Sequence, residues 1–304
     1  MTAFLGSEMD SMIKRAADDL ARSGYAIALS GAGMSTESGI ADFRGPRGIW
    51  TTDRKAEAEA YQRYDLFLRD PRAYWEGMLG VQGRHGAFYD EIRKSVPNPG
   101  HYALAELEAL GRLKCAITQN IDGLHVKAGS RRVIEYHGSI HRLRCIACGS
   151  RFAREEVSLD ELPPRCSCGA ALKYDVVHFK EAIPFDVMEE AEREALRCDL
   201  MLVCGTSAVV YPFAGLPRIA RFGARRSLLG LGTIRRRPGL RVIEVNAEST
   251  PLTDEGVSDY LIQGKTGEIL PRIAAEVRKA RSAFAGEHNP LLGDQAGEAK
   301  REQG

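Results

Sequence analysis

Tyr25-Ala-Ile-Ala-Leu29 runs without a break into Ser30-Gly-Ala-Gly-Met-Ser35. An apolar run this short, closed by glycine, reads as a buried strand that opens into a tight loop. Similar runs recur at Leu113 to Thr118, at Arg132 to Tyr136, and at Leu200 to Val203 with Gly205-Thr206-Ser207 behind it. Two more are Arg241 to Val245, ahead of Asn246, and Tyr260 to Ile262. Helical apolar patterns lie between them, at 8–23, His101 to Leu110 and Asp186 to Leu196. Strands alternating with helices predict an α/β fold on a parallel sheet, with ligand loops at the strand C-terminal ends.

Two stretches break that rhythm. Residues 45–96 are helical in pattern, aromatic and Arg-rich, whereas 141–173 carry four cysteines and little helical periodicity. The expected organisation is a discontinuous Rossmann-like unit formed by 1–44, 97–140 and 174–284. A helical insertion at 45–96 and a small zinc-ribbon module at 141–173 interrupt it. The polar tail 285–304 is expected to be disordered.

Composition narrows the function classes. The 304 residues are 44% hydrophobic and 27% charged, with a formal net charge of +1. That balance sets up no global field for nucleic acid, so nucleic-acid binding is not expected. No apolar stretch is long enough to span a bilayer, and the N-terminus lacks the pattern of a secretory signal. A cytoplasmic enzyme with reduced thiols is the expectation.

The chemistry-bearing residues cluster after the strands. Gly31-Ala32-Gly33 suits close approach of backbone to a phosphate or ribose, though a tight strand-to-helix turn explains the same residues equally well. The longer run through Ala41-Asp42-Phe43-Arg44-Gly45 adds a Phe able to exclude water and an Arg able to neutralise phosphate. Thr118-Gln-Asn-Ile-Asp-Gly-Leu-His125 follows a strand, so its polar side chains belong at the same sheet edge. His137 closes the next candidate strand, where an imidazole suits general-base work. His101, His125 and His141 read as structural.

The cysteines carry a separate signal. Cys145-x2-Cys148 and Cys166-x-Cys168 stand 17 residues apart, close to the spacing of a four-thiolate zinc site. Four thiols complete a tetrahedral set without a fifth ligand, so a closed structural site is expected. Cys115, Cys198 and Cys204 sit in apolar contexts and read as core thiols.

Taken together, GAGMSTESGIADFRG, TQNIDGLH, His137-Gly138, the paired cysteines, GTS at 205–207 and NAE at 246–248 stand in the order of the sirtuin family. The chain resembles these NAD-dependent protein lysine deacylases from about residue 10 to about 280. The resemblance implies cleavage of NAD, transfer of the acyl group of a modified lysine to ADP-ribose, and release of nicotinamide. It implies His137 as general base, Asn120 orienting ribose and a water, and Asp122 holding the nicotinamide carboxamide. Phe43 would shield the cationic centre, Arg44 would meet phosphate, and Thr206 and Ser207 would hold the pyrophosphate side. Asn246 and Glu248 would hold the adenosine ribose, with Thr266 near adenine. Gly31, Ala32, Gly33, Thr36, Asp42, Trp50, Gln119, Ile121, Gly205 and Ala247 complete the implied NAD site. Val177, His178, Phe179, Lys180 and Glu181 form the implied substrate segment.

The same resemblance leaves a mono-ADP-ribosyltransferase or a non-catalytic NAD sensor as alternatives. Where the family carries Pro-Asp-Val-Val-x-Phe-Gly-Glu, this chain has Tyr174 for the proline and Lys180 for the glycine. If that position needs φ above zero, lysine is strained there by ~1–2 kcal/mol. The Tyr-x-x-Arg pair of relatives selective for acidic acyl groups aligns with Met78 and Val81, which predicts a neutral acyl preference. Arg225, Arg226 and Arg235-Arg236-Arg237 read either as a solvated loop or as a docking patch for an acidic partner or nucleic acid.

Overall fold

The computed structural model describes residues 2–46, 48–80, 84–223 and 236–287. Among them, two sheets form. The larger has six parallel strands: β1 (Ala26–Ser30), β2 (Cys115–Thr118), β3 (Val133–Glu135), β7 (Leu200–Cys204), β8 (Arg241–Asn246) and β9 (Tyr260–Gln263). Their spatial order is β3-β2-β1-β7-β8-β9. Counted within this sheet alone, that is 3-2-1-4-5-6, the doubly wound order whose switch point lies between its first and fourth strands.

Both faces of the sheet are covered, which explains why β1 and β7 are buried along their whole length. Side chains alternate faces along a strand. Ala26 and Ala28 join a core with Ile13, Leu20, Leu104, Leu270 and Ile273, from the helices Thr2–Arg22, Pro99–Ala109 and Thr266–Glu287. Ile27 and Leu29 face the other way, into a core with Ala191, Ala195, Phe213, Leu216 and Ala220. That side is roofed by the helices Phe185–Arg197 and Leu216–Phe222.

The smaller sheet has the order β5-β4-β6, antiparallel throughout, with β4 (Gly138–Cys145), β5 (Arg151–Ala153) and β6 (Leu172–Val176). It packs with the helices Arg54–Arg69, Pro71–Leu79 and Arg84–Lys94 around a third core that includes Phe67, Tyr74, Trp75, Tyr89, Leu143 and Tyr174. Asp53 and Asp70 cap the first two of these helices, accepting hydrogen bonds from Lys55, Ala56 and Ala73 amides. No helix among the described residues is long and apolar enough to cross a membrane.

Two sequence expectations change here, and a third lies largely outside the described residues. Tyr174 is fully buried, stacked on Tyr89 at 5.4 Å, and its hydroxyl accepts from Arg93 Nη2 at 2.8 Å. Its replacement of proline is therefore a core-packing matter rather than a groove contact. The C-terminal helix runs to Glu287, past the expected end at 284, and 288–304 lie outside the described residues. Arg225, Arg226 and Arg235 also fall outside them, whereas Arg237 Nη1 donates to the Leu196 carbonyl at 2.6 Å, capping a helix C-terminus.

Candidate active site

The glycine loop after β1 and the Gly205 loop after β7 meet at the switch point. The Gly31 amide donates to the Cys204 carbonyl at 3.2 Å, and the Gly33 amide to the Gly205 carbonyl at 2.8 Å. A Cβ on Gly205 would stand 2.3 Å from the Met34 amide nitrogen, and one on Gly31 would stand 2.2 Å from Gln119 Nε2. These glycines are thus required by the packing of loop on loop. Of the two readings the sequence offered for Gly31 and Gly33, close turn packing is the one these protein contacts display.

From β2, Gln119 Nε2 donates to Thr206 Oγ1 at 2.9 Å, and Asn120 Nδ2 donates to the Gly31 carbonyl at 2.9 Å and to Ser35 Oγ at 3.0 Å. Ser35 Oγ in turn donates to Asp122 Oδ2 at 2.7 Å, while Asp122 Oδ1 accepts the Leu124 amide at 2.9 Å. One buried hydroxyl therefore orders both Asn120 and Asp122. Sequence reasoning missed Ser35, which carries no sign beyond lying in the glycine loop.

His137 stands between β3 and β4. Its Nδ1 lies 3.1 Å from the Gln119 carbonyl, which can only accept, so Nδ1 carries the proton and the lone pair resides on Nε2. Tyr136 and Phe213 pack on the ring at 5.6 and 6.2 Å. Desolvation lowers its pKa to about 4, against a smaller raising effect of the Gln119 carbonyl, so the imidazole is neutral at pH 7. The arrangement supplies a neutral base with a fixed tautomer, hung from the carbonyl of the residue that precedes Asn120.

His125 and His101 take structural positions below this. His125 Nε2 is 2.7 Å from Ser30 Oγ, and that hydroxyl donates to Thr118 Oγ1 at 2.9 Å. His101 completes a capping box with Asn98 at the start of the helix Pro99–Ala109.

On the β8 side, Asn246 Nδ2 donates to the Thr206 carbonyl at 2.7 Å. Ala247 and Glu248 are exposed just beyond, as is Ser207 beside Thr206. Thr266 is buried at the head of the last helix, and its hydroxyl has no hydrogen-bond partner among the described residues. An orphaned buried hydroxyl beside the loop edge is what a bound heterocycle would satisfy. The set of amides, hydroxyls and one neutral histidine fits a dinucleotide. Thr36 is exposed and bonded to the Gly33 carbonyl at 3.0 Å.

The third wall is aromatic. Phe43 and Trp50 approach at 4.8 Å, Trp50 and Phe179 at 5.5 Å, and Phe179 stacks on Tyr61 at 4.3 Å. Arg44 lies over the Trp50 ring at 4.5 Å, and Asp42 Oδ1 accepts the Gly45 amide at 2.9 Å. The Val177 amide donates to the His137 carbonyl at 2.9 Å, which ties the Val177–Glu181 segment to the base. Ile121 is similarly anchored, its carbonyl accepting the Ile140 amide at 3.0 Å. His178 Nε2 is 3.0 Å from the Tyr74 hydroxyl. Lys180 has φ of 70°, so the lysine does occupy a left-handed position. The Glu181 side chain, 3% exposed, turns inward to Lys173 and Arg144 instead of outward along the groove.

The four cysteines of the ribbon converge, with all Sγ atoms within 4.8 Å of one another. Cys145 and Cys168 are 3.5 Å apart and Cys148 and Cys166 3.6 Å. Tetrahedral thiolates at the usual zinc–sulfur distance of ~2.3 Å are separated by about 3.8 Å, so the donors fit one zinc ion. The second pair closes through a knuckle in which the Gly169 amide donates to the Cys166 carbonyl at 2.8 Å. Gly169 sits at φ 87° there, so the single-residue spacing is accommodated by a turn that glycine permits.

Comparison with known proteins agrees with this geometry. The family model described as the Sir2 family matches residues 31–212. An NAD-dependent protein deacylase 2 of Pyrobaculum aerophilum is 42% identical over 264 residues, covering 86% of this chain and 95% of the relative. An NAD-dependent protein deacylase of Thermococcus kodakarensis is 43% identical, covering 88% and 96%. Among solved structures, a Sir2 homologue–NAD complex superposes with a TM-score of 0.68 at 41% identity, covering 87% of this chain and 93% of that one. A Sir2–p53 peptide–NAD+ complex does so with a TM-score of 0.64 at 32% identity, covering 85% and 95%. The sheet order, the converging loops and these matches together place the chain in the Sir2 family.

Proposed function

We propose that this protein is an NAD-dependent protein lysine deacylase whose base is His137, producing nicotinamide, free lysine and O-acyl-ADP-ribose. The observation that carries the reading is the tautomer of His137: Nδ1–H is committed to the carbonyl of Gln119, the residue before Asn120, and Nε2 is left as the acceptor. NAD, when bound, supplies an electrophilic ribose carbon for the acyl oxygen. Asn120, fixed by Gly31 and Ser35, orients ribose and water, and Asp122 receives the carboxamide. Gln119 and Thr206 brace the pyrophosphate side together with Ser207 and Arg44, while Asn246, Glu248 and Thr266 receive the adenosine. Phe43, backed by Trp50, excludes water from the reacting centre. His137 Nε2 accepts the ribose hydroxyl proton, which its lowered pKa allows throughout the neutral range. The acylated lysine of a protein enters along the Val177–Glu181 segment, beside the aromatic wall to which Phe179 belongs. Unpaired core cysteines and a four-thiolate metal site support a reducing, cytoplasmic setting.

The test is to incubate the purified protein with NAD and an acetyl-lysine peptide and to follow peptide mass and O-acetyl-ADP-ribose. Both products are expected, and His137→Ala is expected to abolish them while NAD binding, measured by calorimetry, persists. ADP-ribose on protein without peptide deacetylation would point to transferase chemistry instead, and a full-rate His137→Ala variant would remove the base assignment.

A further inference from the structure

Below the Val177–Glu181 segment lies a line of buried charges that the reaction does not touch. Lys173, with a fully buried side chain, donates through Nζ to the carbonyls of Tyr174 at 2.9 Å and Val176 at 2.6 Å. The same Nζ stands 3.1 Å from Glu181 Oε2. Glu181 Oε1 pairs with Arg144 Nη2, and Arg144 Nε is 2.9 Å from Asp175 Oδ1. Asp175 Oδ2 meets Arg142 at 3.2 Å and Arg151 at 3.3 Å. Buried ions are costly unless each is matched, and removing one leaves its partner uncompensated. This line also fixes backbone above it.

What it holds is a turn. Glu181 Oε2 accepts the His178 amide at 3.0 Å, and the Glu181 amide donates to the His178 carbonyl at 3.1 Å. The loop from 178 to 181 is thus closed reciprocally, with Lys180 at φ 70° inside it. Lys180 Nζ reaches Asp65 Oδ2 at 2.6 Å, fastening the turn to the helix Arg54–Arg69 from outside. The closed turn sends His178 inward to Tyr74 and Phe179 into the aromatic wall with Trp50 and Tyr61.

We infer that Glu181 is a positioning residue for the acyl-lysine half of the site: its carboxylate, gripped by Lys173 and Arg144, holds the His178 amide and so sets where Val177 to Phe179 meet the substrate. The inference rests on the deacylase reading. It assigns the ribbon sheet a second task, because Arg144 on β4 directly precedes the thiolate Cys145.

The experiment is a pair of variants of the full-length, zinc-loaded protein. Glu181→Gln removes the charge and keeps the shape. The KM for an acetyl-lysine peptide is expected to rise about tenfold, with the KM for NAD within about twofold of wild type. The double variant Glu181→Gln/Lys173→Met removes the uncompensated ammonium and should recover thermal stability without recovering peptide KM. A double variant with wild-type stability and wild-type peptide KM would overturn the inference, since Glu181 would then serve only to neutralise Lys173. Hydrogen exchange of the His178 amide gives a readout independent of turnover. Protection in wild type is expected to fall at least about tenfold in Glu181→Gln. Unchanged protection overturns the clamp, whereas a protected wild-type amide in a protein that fails to deacylate counts against the function and not the clamp.

Discussion

Ser35 shows how much of this site depends on a single short side chain. Its hydroxyl accepts from Asn120 Nδ2 and donates to Asp122 Oδ2, so one oxygen sets the orientation of two proposed NAD-binding groups. Asp122 keeps the Leu124 amide and Asn120 keeps the Gly31 carbonyl, so the fold does not hinge on Ser35. Ser35→Ala is expected to fold, with the melting temperature lowered by several degrees because the buried Asp122 carboxylate loses one of its two partners. Steady-state assays should show kcat/KM for NAD reduced about 10- to 100-fold, the ~1.5–3 kcal/mol of a hydrogen bond to a charged group. A near-wild-type kcat/KM would mean that Asn120 and Asp122 are ordered without it. The sequence displays Asn120, Asp122 and His137 because each sits beside a strand end. It hides Ser35, whose partners lie 85 and 87 positions away and are reached only through the parallel register of β1 with β2.

At the scale of elements, the helix Pro71–Leu79 bears on which acyl group is accepted. Capped by Asp70, it turns Tyr74, Trp75 and Met78 into the core shared with the ribbon sheet. Tyr74 presents its hydroxyl to His178, Met78 is 4% exposed, and Arg63 from the preceding long helix is hydrogen-bonded to Tyr89. Val81 lies outside the described residues. A carboxylate-bearing acyl chain would need a cationic partner in this apolar setting, and Met78 offers none. Acetyl-lysine peptides are accordingly expected to be turned over at least about tenfold faster than succinyl-lysine peptides in side-by-side kcat/KM measurements. Equal rates would remove the neutral acyl preference. The large-sheet strands and flanking helices were legible because parallel strands buried on both faces read as short apolar runs. The strands β4 and β6 were not. They carry Arg142, Arg144, Lys173 and Asp175, whose charges mask the pattern and become compatible with burial only once paired with one another.

At the scale of the whole molecule, the shifted titrating groups bound the pH range of stability on both sides. Burial lowers His101 to about 3 and His125 and His137 to about 4, from an ordinary 6.5. As pH falls below 6.5 the unfolded chain takes up protons that the folded chain refuses, so stability is lost between about 6.5 and about 4. Among the lowered carboxyls, Asp186 and Asp199 act only below their ordinary 3.8, and Glu276, lowered from 4.5 by its hydrogen bond to Lys279, enters only at the bottom of that window. On the alkaline side, burial raises the thiols of Cys115, Cys198 and Cys204 to about 12 from 9.0. The unfolded chain then loses protons first, and stability declines above pH 9. Lys173, lowered to about 8 by burial, has the opposite sign between about 8 and 10.5, but it is one group against three. The expected result is a plateau in the melting temperature from about pH 6.5 to about pH 9, with a fall on each side. His125→Asn should flatten the acid limb without moving the alkaline one. An acid limb that begins only near pH 4 would show that these histidines do not set it.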